Sequence, residues 1–492
     1  MANLVATLLS FPPDHYTVAP PSKVIYDRDV REYVKQLDKI SASSFVKAVD
    51  GQELIDLLDP IRNSIAYLYT IVSELQSIAS SKPKPLPDDL WTRLSIFCTS
   101  FDPIQIRYVG NEFRRLLEHL ERLARVYNSP RVPVQLMCAG MLRMDPSGAT
   151  FTSTHLLYVQ LCLEARTLEE ALPILDKPIV GFPSQAIKGI EEQPLCADHQ
   201  VSSAYITLNS GLSSAVSAED VQEYYLLGAI TYIGLRQWRK ALTFLEHVLV
   251  APTQNTATGL MLEAYRKWLL VALLIEGKSP SFPRGVNQEA LRKIKPTSKA
   301  YEAFADIYKS GNLLRLQAEA DAGQGLWQDD GNIGLVRQVI RHFTESQVIN
   351  LSKTYVALPM LDIAQHLGET PAVTAQYLGF LATSGQLNAS LERNSATSDT
   401  SSQILRFYSD RSSGPLAQSE QQLHAALVEQ KQRILELAHQ LKDGNRRLSL
   451  NKDYLEYAKT RRDRKEQARD GGAMDLDWAG PGEDEDMMGD LR

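Results

Sequence analysis

The residues of this 492-residue chain best suited to chemistry are its nine histidines and four cysteines. Metal-assisted hydrolysis needs side chains that converge on one ion, as two histidines one or three residues apart on a shared face do. Here His15, His119, His155, His199, His247, His342, His366, His424 and His439 are never closer than 15 residues, and each reads as a surface or packing side chain. Cys98, Cys138, Cys162 and Cys196 lie 40, 24 and 34 residues apart with no Cys-x-x-Cys, so they read as buried thiols of a reducing compartment. Glu276-Gly-Lys-Ser279 hints at a phosphate loop, yet that motif needs a glycine five residues before Gly277, where Ala272 stands in an apolar helix. Gly277 therefore reads as a helix C-cap. Gly211-Leu-Ser-Ser-Ala215 lacks the second glycine and the preceding strand of a nucleophile elbow. Gly323-x-Gly325 lacks a third glycine and reads as a turn. The sequence predicts no catalytic residue, no metal, no cofactor and no small-molecule substrate.

The elements around these residues are mostly helical. At roughly 150 residues per domain the length implies about three structural units, and 44% hydrophobic residues support a sizeable core. Residues 1–30, with Pro12, Pro13, Pro20 and Pro21, read as an extended lead-in. Ile55, Leu58, Ile65, Leu68, Ile71, Val72 and Leu75 then keep a helical stripe, interrupted at Pro60. Prolines punctuate many short helices beyond it, a rhythm that stacked helical hairpins fit. In residues 224–252, Gly228, Phe244 and Pro252 fall at the offsets of a tetratricopeptide-type pair, while Gly234 and Ala241 miss theirs by one.

After Gly331 the pattern changes to helix, short strand (TYVAL), helix from Pro359 to Leu367, turn, helix from Ala372 to Ser384, and a hairpin of strands 386–393 and 403–409, the order of a winged helix. Beyond Pro415 runs a heptad stripe of Leu423, Leu427, Gln430, Ile434, Leu437, Leu441, Gly444, Leu448, Asn451 and Leu455, spaced alternately four and three, which is what a partner helix reads. The alternative is a helix folded back onto its own solenoid. The fold class expected is predominantly all-α: a right-handed α-solenoid of degenerate tetratricopeptide-like repeats, a C-terminal winged helix and a long C-terminal helix. Its divisions are 1–30 lead-in, 31–195 N-terminal repeats, 196–330 further repeats, 331–410 winged helix, 415–458 bundle helix, and 459–492 a basic then acidic disordered tail.

Charge narrows the function classes. The net charge is −7, but residues 471–492 carry seven acids and one base, leaving a near-neutral body. Such a body has no global field for nucleic acid or anionic membrane. A winged helix raises DNA binding, yet residues 359–391 contain no Lys or Arg and two acids, Asp362 and Glu369. A protein contact is the reading that surface supports. The basic run 459–469 reads as a solvated helix end, with nuclear import or RNA contact as alternatives. The longest apolar run, Trp268 to Ile275, is eight residues, far below the ~20 that span a bilayer. With no basic residue ahead of the N-terminal apolar stretch, the expectation is a soluble intracellular protein.

Helical repeats running into a winged helix resemble the PCI-domain family, shared by the proteasome lid, the COP signalosome and initiation factor three. Gly385-Gln-Leu-Asn-Ala389-Ser-Leu391 is similar to the family's usual Gly-x-Ile-x-Ala-x-Ile ending. Three further segments, MLEAYRKWLLVALLIEGK (261–278), SKAYEAFADIY (298–308) and DDGNIGLVRQ (329–338), together resemble the subunit-three branch within the signalosome. Ala375 stands about where the family commonly has a glutamate, the wing loop looks enlarged, and the acidic tail is extra. The resemblance implies a non-catalytic scaffold of the complex that removes the ubiquitin-like Nedd8 from cullin–RING ligases. The metalloprotease motif of such complexes, His-x-His followed by aspartate, sits on another subunit and is not in this sequence. The partners implied are other signalosome subunits, PCI subunits one and eight, reached through the winged-helix edge (Leu387, Leu391, Leu405, Phe407) and the C-terminal helix (Leu423, Leu427, Ile434, Leu437, Leu441, Leu448, Leu455). A proteasome-lid subunit and an RNA-binding translation initiation factor subunit are the alternatives.

Overall fold

The computed structural model describes residues 2–18, 21–47, 52–80, 87–126, 130–183, 194–199, 201–251, 257–277, 282–283, 285–368, 370–383, 385, 387–392, 403–408, 413–450, 455–456 and 459–460. It is helical almost throughout and divides into two compact units, Met1–Gln347 and Val348–Arg492. Residues 82–86 of the break that the sequence suggests at KPKPLPDD (82–89), the wing loop 394–402 and the tail beyond residue 460 lie outside the described residues.

The first unit is built by helices that stack on their sequence neighbours. Gly110–Val126 packs on Arg131–Met144, Ala218–Gly234 on Trp238–Val250, and Trp238–Val250 on Gly259–Glu276, which in turn meets Lys299–Ser310. One hydrophobic core runs through them from Leu8 to Phe343, as a solenoid requires because no single hairpin buries its own apolar face. Local chemistry sets the boundaries. The Ser217 Oγ accepts the Asp220 N–H at 3.1 Å while the Asp220 carboxylate accepts the Ser217 N–H at 2.8 Å, a reciprocal cap that starts Ala218–Gly234. Gly277, at φ +65°, ends Gly259–Glu276 in the left-handed conformation.

Residues 1–30 correct the expected extended lead-in. Ala2–Leu9, His15–Val18 and the start of Lys23–Leu37 are helical, and Leu8, Phe11 and Val30 are buried in the core. Pro12, Pro13 and Pro21 stand between these helices, where the missing N–H costs nothing.

A repeat that the sequence concealed is visible at the helix corners. Arg166 (φ +56°) and Arg236 (φ +58°), 70 residues apart, both adopt the left-handed conformation. After each, the next N–H reaches back five residues, Thr167 to Cys162 O and Gln237 to Tyr232 O, both at 2.9 Å. Ala171 with Leu175, and Ala241 with Leu245, then follow at matching offsets and are all buried. Gly228 shows why a small residue is needed beside such a corner. A Cβ there would stand 2.7 Å from the Phe244 ring and 3.0 Å from Leu175 Cδ2.

In the second unit, Met360–Leu367 and Pro371–Thr383 pack with a three-stranded antiparallel sheet of β1 (Ala357–Pro359), β2 (Ala389–Glu392) and β3 (Ile404–Phe407), in the order β1-β3-β2. Leu405 of β3 lies opposite Leu358 of β1 and Leu391 of β2. Val348, Met360, Ile363, Leu367, Leu378, Leu381, Leu387, Ala389, Leu405 and Phe407 form its core. The expected winged-helix order is present, followed by the helix Glu420–Leu450.

Candidate functional site

Several of the residues weighed for catalysis are packing or capping groups. His155 is buried, and the Thr152 N–H donates to its Nδ1 at 3.2 Å, so the imidazole replaces the usual acid of a helix-capping pair. Burial pushes its pKa down to about 4. Burial also raises the thiols, Cys98 and Cys162 each to about 12, so neither is a thiolate nucleophile near neutrality. Ser213 and Ser214 of the half-matched elbow are tied to Ser153, the Ser153 N–H to Ser213 Oγ and the Ser214 N–H to Ser153 Oγ. Among the described residues no group of three His, Cys, Asp or Glu side chains is placed to hold a metal ion.

The three segments that carried the subunit-level resemblance meet in space. Arg266 Nη1 donates to Asp330 Oδ1 at 2.5 Å, and the Tyr301 hydroxyl to Asp330 Oδ2 at 2.6 Å. Asn332 Nδ2 closes the set on the Tyr301 oxygen at 2.8 Å. Arg266 and Asp330 are 14% and 18% exposed, so the pair is shielded enough for its geometry to matter more than that of a surface pair. Its effect is to fasten Gly259–Glu276 to Lys299–Ser310 and to the corner that opens Ile333–Thr354. This cluster positions the helices of the stack, a role that spacing within each segment does not reveal.

On the winged helix, the structure separates the four expected edge residues. Leu387, Leu405 and Phe407 are buried in the local core and Leu391 is partly buried against it. The edge expectation is corrected for β3, which pairs on both sides; β1 and β2 form the two edges of the sheet. A strand so short shows its neighbour only after the third strand is placed. Exposed apolar positions of this unit include Val373 and Phe380 on Pro371–Thr383, Leu361 on Met360–Leu367, Tyr355 and Val356 beside β1, and Ile404 at the start of β3.

Among the described residues, the heptad stripe presents a row of exposed apolar side chains on the C-terminal helix. Ser419 and Gln422 cap one another reciprocally at 3.3 and 3.0 Å and start the 31-residue helix Glu420–Leu450. Leu427, Ile434 and Leu441 are 65%, 65% and 68% exposed, and Leu437, Leu448 and Leu455 are exposed too; Leu423 is intermediate. Val428 and Leu435 widen the stripe. None of these residues belongs to either hydrophobic core. No helix among the described residues is long and apolar enough to cross a membrane.

Residues 27–288 match the family described as COP9 signalosome complex subunit 3, N-terminal helical repeats. The chain is 29% identical to the COP9 signalosome complex subunit 3 of Emericella nidulans, covering 100% of both chains. It is also 29% identical to the protein of that name from Neurospora crassa, covering 86% of this chain and 85% of the relative.

Proposed function

Because the chain belongs to the COP9 signalosome complex subunit 3 family, we propose that it acts as a non-catalytic scaffold of that complex. Its solenoid and winged helix hold neighbouring PCI subunits, of which subunits one and eight are the expected ones. The complex removes Nedd8 from cullin–RING ligases through a catalytic centre on another subunit, in cytoplasm and nucleus. The observation that carries this reading is the exposed leucine stripe of Glu420–Leu450. An amphipathic helix of this length gains most of its stability from burying its apolar face, so the stripe is read as one strand of a bundle with the C-terminal helices of other subunits. The place of β1 and β2 as the outer strands of the sheet, and the face around Val373 and Phe380 that carries no Lys or Arg, support a second contact through the winged helix.

Reconstitution from purified subunits tests the proposal. The full chain is expected to enter the complex stoichiometrically, and a version ending at Pro415 to enter it poorly. Alone, it is expected to bind no stoichiometric zinc and to cleave no Nedd8 conjugate. Isopeptidase activity of the isolated chain would overturn the non-catalytic role, and undiminished assembly of the shortened chain would overturn the bundle role.

A further inference from the structure

Asn388, in the segment that the sequence marks only as a strand, has a use that local pattern does not suggest. It stands immediately before β2, and its side chain reaches across the end of β3 to the segment leading into the C-terminal helix. Its Nδ2 donates to Ser413 O at 3.0 Å and to Tyr408 O at 3.3 Å, while its Oδ1 accepts the Leu416 N–H at 3.2 Å. The Tyr408 N–H returns a bond to Asn388 O at 2.9 Å. One amide therefore ties together the start of one strand, the end of another, and the approach to the helix. Only a side chain that both donates and accepts can do this.

The partner segment is shaped to the clamp. Gly414 lies at φ +91°, and a Cβ there would stand 2.5 Å from Asn388 Oδ1 and 2.7 Å from the Tyr408 ring. Leu416 rests its Cδ2 atom 3.7 Å from the Cβ position of Gly385. The Ala417 N–H donates to Gly414 O at 3.1 Å, and the Ser419–Gln422 cap follows directly. Between the clamp at Leu416 and the cap at Ser419 there is little chain left to swing.

We propose that Asn388 is a positioning residue that sets the direction in which the C-terminal helix leaves the winged helix, and with it the face on which the leucine stripe is offered; this rests on the docking reading above. Leverage explains why one amide has such an effect. A helix of this length extends about 45 Å, so a swing of roughly 20° at its root carries the far end about 15 Å. That exceeds the roughly 10 Å between packed helix axes, enough to take the stripe out of register with a partner.

The test uses the full chain carrying Gln376→Cys and Gln432→Cys for spin labels, at exposed positions on the winged helix and the C-terminal helix; the native thiols are buried. A single narrow distance distribution is expected. Asn388→Ala should broaden it at least about twofold and weaken assembly with the other subunits about tenfold, the effect of losing roughly one net hydrogen bond. Asn388→Asp sets a carboxylate against two carbonyl oxygens and should broaden it at least as much. Gly414→Ala attacks the same clamp from the other side and should act alike. Unchanged distances in Asn388→Ala would overturn the clamp. So would broadening accompanied by loss of the winged-helix melting transition, since the residue would then serve only the stability of that unit. Broadened distances with unchanged assembly would leave the clamp standing and overturn the docking reading instead.

Discussion

Replacing Leu427, Ile434 and Leu441 together by alanine separates docking on a partner from packing on the chain itself. In the free chain these side chains are about two-thirds exposed, so truncation removes few contacts. Alanine is also the better helix former, by up to about 0.5 kcal/mol per site. The free triple variant is therefore expected to melt within a few degrees of the parent, since surface substitutions stay within about ±0.5 kcal/mol. Assembly behaves differently. Burying a Leu or Ile side chain fully is worth about 1.5–3 kcal/mol. With two-thirds of that surface still available, each residue stands to lose about 1–2 kcal/mol, and the three together about 3–6 kcal/mol, on the same scale. That corresponds to an affinity loss of roughly 10²- to 10⁴-fold. Circular dichroism melts of the free chain and titration calorimetry against the remaining subunits read the two quantities separately. Gln432→Ala with Glu436→Ala, on the opposite face of the helix, serves as the control and should change neither. A large loss of free-chain stability with unchanged affinity would refute the reasoning and place the stripe against the chain's own helices.

Three further outcomes follow from the packing. Gly228→Ala gains helix propensity but drives a methyl into Phe244 and Leu175, and a net destabilisation of about 1–2 kcal/mol is expected in chemical denaturation of the solenoid; unchanged stability would show that the corner relaxes freely. Leu405→Ala empties a fully buried place in the central strand and should cost the winged-helix unit about 2–5 kcal/mol, measured as earlier exchange of its amide protons. His155 has a folded pKa of about 4 against 6.5, so the unfolded chain binds more protons between those values and stability falls as the pH drops from about 6.5 to about 4. The full effect reaches about 3 kcal/mol. Burial raises Glu74 to about 7, which acts in the opposite direction over part of that window. The difference between parent and His155→Gln isolates the histidine, and a difference that stays flat with pH would refute the assignment.

Much of the molecule was legible from local pattern. Helical periodicity placed Ile55, Leu58, Ile65, Leu68, Ile71, Val72 and Leu75 in the core, and all seven are buried. The order of elements after Gly331 announced a winged helix, because hydrophobic period and turn residues act over only a few positions. The stripe from Leu423 onward was legible for the same reason, being a property of one helix. What tertiary structure decided was everything that depends on residues distant in sequence. Prolines near the N-terminus marked helix boundaries, since Leu8 and Phe11 found a core formed by later helices. β3 became central because β1, nearly fifty residues earlier in the chain, pairs on its other side. This buried Leu405 and Phe407 and moved the edges elsewhere. Arg236 took a left-handed conformation that its residue type disfavours because the two helices it joins pack firmly enough to impose it. Arg266, Tyr301, Asp330 and Asn332 became one cluster, and Asn388 became a clamp, through hydrogen bonds whose partners no spacing rule connects. Short-range periodicity is written into consecutive residues, whereas pairing across the fold is chosen by the packing of all the elements at once.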